Sequence, residues 1–233
     1  MKLLAIDTSG PVCGVCVMTE AGVASEWTVI NKMTHSVNLM PMVDEALLRA
    51  GLTLTDLDRI AVVTGPGSFT GVRIGVSTVK GLCHGANIPC VTVDALEAMA
   101  AGIAGFDGIV CPIQDARAGH VYGAAFQAGF PPVRLMEDVP LKLEDYVAEI
   151  AKLGEKFLFL GDGMPVHRER LTALLGEKAA FAPPHLCYLR PATVAALGMQ
   201  KTETEDYLSL MPMYLRAPSA ERNKKLMEAA REQ

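Results

Sequence analysis

The sequence predicts an α/β fold of two ribonuclease-H-like lobes, each a mixed sheet with helices on both faces. Three observations predict it. The first half carries the element order β-β-β-α-β-α-β-α, which such a lobe requires. The second half restarts as the first does, with an apolar strand ending in an acid: residues 3–7 end at Asp7 and residues 109–115 end at Asp115. Finally, 233 residues, 50% hydrophobic and 20% charged, suffice for one large domain or two lobes of about 110 residues each. The lobes are expected at 1–106 and 107–218. The last stretch, 219–233, is charged with no clear apolar face and reads as a loose helix or disordered tail.

Taken in order, residues 3–7, 12–19 and 23–30 form three strands. The turn Thr8-Ser9-Gly10-Pro11 joins the first two and Glu20-Ala21-Gly22 leads into the third, so they can pair as a meander. Residues 36–50 have Val37, Met40, Val43, Leu47 and Leu48 at spacings near 3.6, an amphipathic helix in which Pro41 should start, kink or interrupt the run. A strand at 60–64, a helix at 70–86, a strand at 90–93 and a helix at 95–104 complete the first lobe. The second has strands at 109–115, 120–127, 133–139 and 157–160, with helices at 143–153 and 165–176.

Residues 60–75, IAVVTGPGSFTGVRIG, are the most informative segment. A β-branched run breaks at Gly65-Pro66-Gly67, and Ser68 or Thr70 is placed to cap the next helix. A strand–loop–helix joint of this kind either binds an anion or serves as a tightly packed turn. It is not a Walker A loop, because no Gly-Lys-Ser/Thr follows. Within the helix, Gly71 and Gly75, and again Gly81 and Gly85, are small residues four apart. They allow close approach of a helix, either that at 36–50 or one from a partner.

Asp7 and Asp115 occupy equivalent strand ends. They either face each other across a cleft, where they could handle Mg²⁺–phosphate, or cap their own turns. Cys13 and Cys16 have C-x-x-C spacing but lie in a predicted strand, where residues three apart point to opposite faces. With Cys83, Cys90, Cys111 and Cys187 they read as reduced core thiols. None of the five histidines, His35, His84, His120, His167 and His185, has a partner at chelate spacing. The formal charge of −5 argues against broad electrostatic capture of nucleic acid. No signal peptide or membrane-length apolar run is read, so a cytoplasmic location is expected.

LAIDTSG at 4–10, GPGSFTGVRIG at 65–75, DAR…VY at 115–122 and PMYLR at 212–216 together resemble the TsaB (YeaZ) family, bacterial proteins of threonylcarbamoyladenosine biosynthesis. The resemblance covers nearly the whole chain and is weakest over 140–210 and the tail. It implies the two-lobed fold of the actin, hexokinase and Hsp70 superfamily (ASKHA), with Asp7, Thr8, Ser9 and Asp115 at the nucleotide cleft of such folds. It also implies a non-catalytic role. The catalytic relative TsaD, which places threonylcarbamoyl on N6 of adenosine 37 in tRNAs reading codons that start with A, holds its metal with a histidine pair in a V-N-H-x-x-x-H segment. Here Ala95 and Met99 stand at those positions, and neither is a ligand for a hard metal.

The implied partners are TsaD, as a heterodimer, and the small ATPase TsaE. ATP and Mg²⁺ would be used by the complex, tRNA would be met through it, and no cofactor is assigned to this chain. The implied interface takes the two helices through Leu39, Met40, Val43, Leu47, Gly71, Val72, Gly75 and Thr78, and a bulky residue at Gly75 would weaken pairing while leaving the monomer folded. Self-association through the same helices is expected when the partner is absent. His120 departs from the glutamate more common there in the family. A metallopeptidase (glycopeptidase-like) and an ATP-dependent phosphotransferase are the alternative activities.

Overall fold

The computed structural model describes residues 1–31 and 34–216, so the tail expected at 219–233 lies outside the described residues. The first lobe comprises β1 (Lys2–Asp7), β2 (Cys13–Thr19), β3 (Gly22–Val29), α1 (His35–Ala50), β4 (Arg59–Gly65), α2 (Phe69–Ala86), β5 (Cys90–Asp94) and α3 (Ala95–Ala101). The second comprises β6 (Ile109–Asp115), β7 (His120–Gln127), β8 (Val133–Lys142), α4 (Leu143–Ile150), β9 (Phe157–Leu160), α5 (Gly163–Leu175) and β10 (Ala179–Phe181), and α6 (Pro191–Gln200) follows.

The two sheets share one topology. The first runs β3-β2-β1-β4-β5 and the second β8-β7-β6-β9-β10. In each, the leading strand pairs antiparallel with the next on one side and parallel with the strand after a helix on the other. The faint sequence repeat is therefore a repeat of architecture. β1 is central, with Leu3, Leu4, Ala5 and Ile6 fully buried. Its period-two alternation sends Leu4 and Ile6 into the core under α1 and α2, and Leu3 and Ala5 into the core shared with α3 and α6. Cys13 and Cys16 divide between the same two cores, and all six cysteines are buried and free.

α1 continues through Pro41. The bond that proline cannot make falls four residues back on Val37, which is exposed, so that carbonyl can turn to water. α3 ends at Ala101 rather than 104, and α4 at Ile150 rather than 153.

The larger departure is α6, whose PATVAALGMQ sequence carries no clean amphipathic period. It belongs by position to the second lobe but packs on the first. Val194, Ala195 and Leu197 join the core of Leu3, Ala61 and Val91. A Cβ on Gly198 would come within 2.8 Å of the Ala61 Cβ. Beyond α6 the chain stays on the first lobe. Cys90 and Glu205 exchange backbone hydrogen bonds at 3.1 and 2.7 Å, and Met213 N–H donates to the Thr64 carbonyl at 2.8 Å. The division at 107–218 thus follows chain order but not packing, because one face of the first sheet needs this segment as its cover. Among the described residues, no helix is long and apolar enough to cross a membrane.

Candidate functional site at the lobe junction

The motifs converge where the lobes meet. β1 ends at Asp7, which is buried and accepts from Ser9 N–H at 2.8 Å. The Thr8 hydroxyl donates to the Gly71 carbonyl at 2.7 Å. Ser68 N–H donates to the Ser9 carbonyl at 2.7 Å, and the Ser68 hydroxyl caps α2 by accepting from Gly71 N–H at 3.2 Å. The glycine-rich turn sits between two backbones: a Cβ on Gly67 would strike the Ser9 carbonyl, and one on Gly65 the Met213 carbonyl. Both glycines have positive φ. Of the two uses open to this turn, the contacts found are those of a packed joint.

The PMYLR segment straps across it. Tyr214 stacks on Phe69 with ring centroids 3.9 Å apart, and Arg73 lies 4.8 Å from the Phe69 centroid while donating to the Tyr214 hydroxyl at 2.8 Å. Arg216 reaches the Ala116 carbonyl at 3.5 Å, beside the DAR turn of the second lobe.

Asp7 lies in the cleft with Ser9, Met99, Gln114, Asp162 and Tyr188. Asp7 Oδ2, Ser9 Oγ and Gln114 Oε1 are buried without a hydrogen-bond partner among the described residues. The space left for water-sized centres is about 10 Å³, room for one water. Ligand pockets are typically hundreds of Å³, and the space directly at Asp7 is far smaller. Burial pushes the Asp7 carboxyl above the usual range, against the lowering effect of the hydrogen bond from Ser9 N–H. Asp162 is pushed up to about 6, chiefly by burial and then by the charge of Asp115.

Asp115 occupies the topological position of Asp7 but does not line this space. It accepts from Arg117 N–H at 3.0 Å and pairs with the Arg117 guanidinium at 3.2 Å. Asp162, from the short Gly161-Asp162-Gly163 segment, stands there instead, and Gln114 supplies the polar atom from β6. In the sequence Gly161-Asp162-Gly163 is too short a signal to mark a nucleotide site, and a glutamine at a strand end carries no spacing signal. His120 ties back to its own turn, with Nδ1 3.0 Å from the Ala118 carbonyl.

Most residues expected at a partner interface face inward. Leu39, Val43, Leu47 and Val72 belong to the core between α1, α2 and the first sheet. Gly71 and Gly75 are also buried, and a Cβ on Gly75 would sit 2.6 Å from Thr8 Oγ1. These residues pack the helices onto their own strands, so a bulky side chain at Gly75 would disturb the monomer. Met40 is exposed and Thr78 half-buried. The outward face of α1 carries Val37, Met40 and Leu48, at 51%, 39% and 69% exposure. On α2 it is Gly81 and Gly85 that open onto free space.

Fold and junction together define a two-lobed α/β protein whose two mixed sheets share one topology. The model of the TsaD family, tRNA N6-adenosine threonylcarbamoyltransferase, matches residues 29–232. The tRNA threonylcarbamoyladenosine biosynthesis protein TsaB of Bacillus subtilis is 36% identical over 95% of this chain and 96% of its own length. TsaB of Escherichia coli is 39% identical over 54% of this chain and 55% of its own. A Pseudomonas aeruginosa structure described as similar to the peptidase YeaZ superposes with a TM-score of 0.78 at 25% identity, covering 92% of this chain and 99% of that one. The chain belongs to the TsaB (YeaZ) family of tRNA threonylcarbamoyladenosine biosynthesis proteins.

Proposed function

We propose that this chain is the non-catalytic scaffold or activator subunit of the complex that places threonylcarbamoyl on N6 of adenosine 37, acting as a heterodimer with TsaD in the cytoplasm. The observation that carries this reading is the state of α3. Ala95 and Met99, at the positions of the catalytic relative's histidines, are buried apolar side chains in the core. They do not fit a metal, and among the described residues no group of three His, Cys, Asp or Glu side chains is arranged to hold one. The metallopeptidase alternative loses its metal on this ground. The phosphotransferase alternative loses support from a cleft with room for one water.

Docking is best served by the outward faces of α1 and α2. Val37, Met40 and Leu48 offer an apolar stripe, and Gly81 and Gly85 beside it let a partner's helix come close. TsaD is the occupant proposed, and a second copy of the chain would cover the same stripe in its absence. TsaE would join the pair, with ATP and Mg²⁺ consumed by the complex and tRNA met through it. Binding can raise the activity of a partner only by favouring one of its states.

The test is threonylcarbamoyladenosine formation on tRNA by reconstituted partners, with the chain present and then omitted. The reading expects modification to require the chain, and the chain alone to modify no tRNA. Unchanged modification on omission overturns it.

A further inference from the structure

A second cluster of acids spans the lobes away from Asp7. Asp94 ends β5 of the first sheet and caps α3, its Oδ1 accepting from Glu97 N–H at 2.7 Å. Facing it from β8, the edge strand of the second sheet, are Arg134 and Asp138. Arg134 Nη2 lies 3.2 Å from Asp94 Oδ1, Nη1 contacts Asp138 Oδ1, and the guanidinium lies over the Phe126 ring at 4.7 Å. The side chains of Asp94, Asp138 and Arg134 are only 15%, 8% and 26% exposed.

Two carboxylates thus share one guanidinium out of water. Ionised together they would leave a buried net negative charge, and a proton on one of them removes it most cheaply. Asp138 and Arg134 are the charged groups that face Asp94 from β8, and α3 meets it through the Glu97 N–H. Among the described residues, Arg134 is the cation that faces both acids. We propose that Asp94, Arg134 and Asp138 form a proton-holding latch between the lobes, so that closing the lobes takes up a proton and parting them releases it. The direction of the Asp94 carboxyl agrees: burial first, then its contact with Asp138, hold it well above the ordinary range. When the lobes part, water reaches the cluster, the burial that favours the protonated form is relieved, and the proton is lost.

The experiment uses the full chain labelled with ¹³C at aspartate carboxyl carbons, titrated by NMR. In parallel, interlobe distance is read between spin labels at Arg49→Cys and Lys152→Cys, the native cysteines being buried. The latch expects one aspartate that titrates well above the ordinary range and disappears in Asp94→Asn or Asp138→Asn, yet survives in Asp7→Asn and Asp162→Asn. It also expects the distance distribution to widen as pH rises through that titration in the parent protein, and to stay narrow in Asp94→Asn, whose amide needs no proton. Ordinary titration of both Asp94 and Asp138 overturns the proposal. A distance distribution that ignores pH in the parent protein, or one that still widens with pH in Asp94→Asn and Asp138→Asn, also overturns it. If Asp94→Asn fails to fold, Asp138→Asn carries the same comparison.

Discussion

The Thr8 hydroxyl donates to the Gly71 carbonyl at 2.7 Å, and the same glycine leaves no room for a methyl, because its Cβ would land on the Thr8 carbonyl oxygen. The loop after β1 and the first turn of α2 are thereby fixed in contact. Asp7 and Ser9, on either side of Thr8, are held at the junction through this contact.

Glycine substitutions on α2 should accordingly split in sign. Gly71→Ala and Gly75→Leu push against Thr8 and should cost about 1–3 kcal/mol or more. Gly81→Ala meets open space on the same helix and should stabilise by roughly 0.5–1 kcal/mol. Urea denaturation midpoints of the three variants check this, and equal losses at Gly71 and Gly81 would refute the packing account.

Adjacent residues on α1 should behave oppositely. Met40→Asp, on the exposed stripe, should leave stability within about 0.5 kcal/mol while weakening association with TsaD and self-association. Leu39→Asp puts a charge into the core under α1 and should prevent folding. Circular dichroism and light scattering of the two proteins, with co-purification of the partner by Met40→Asp, distinguish the faces.

Asp162 makes stability depend on pH. Its carboxyl is held up to about 6 in the folded chain, against an ordinary value near 4 when unfolded. The folded state therefore binds the proton more tightly. This stabilisation is fully present below pH about 4 and is lost as pH rises through about 6, a contribution on the order of 2 kcal/mol. Asp162→Asn should remove that part of the slope. Urea titrations at several pH values between 4 and 7 measure it, and an unchanged slope in the variant would count against a buried Asp162.

Burial should leave all six cysteines inert in the folded protein, Cys90 included, although its hydrogen bond with Cys83 lowers its thiol. Burial pushes Cys13 up to about 11, Cys16 to about 12 and Cys111 to about 12, so little thiolate is present at neutral pH. Ellman's reagent at pH 7.5 should release colour only as the protein unfolds in denaturant. Rapid reaction of any thiol in the native state would contradict this.

Local pattern carried a long way. Short apolar runs bounded by turn residues placed β1, β2, β6 and β7, and Gly65-Pro66-Gly67 with Ser68 placed the joint and the cap, since these signals depend on residues near in sequence. C-x-x-C on a strand placed Cys13 and Cys16 in different cores. The restart at 109–115 marked a repeat that the strand order confirms. What was illegible depends on which face meets which neighbour. An amphipathic period said that α1 had an apolar side, but not that Leu39 lies within the core while Met40, one residue on, meets solvent. Small spacing on α2 did not distinguish Gly71, pressed on Thr8, from Gly81, which is free.

The sequence by itself determined the two-lobed α/β class, the strand and helix order as far as α5, and the family. Those rest on local periodicity, turn chemistry and residue identity. Only the tertiary structure decided that α6 covers the first sheet, that Asp162 and Gln114 rather than Asp115 stand with Asp7, and that Asp94 meets Arg134 across the lobes. Each of these pairs residues far apart in sequence, brought together by the need to cover an apolar sheet face and to neutralise buried charge, and neither need leaves a periodic trace along the chain.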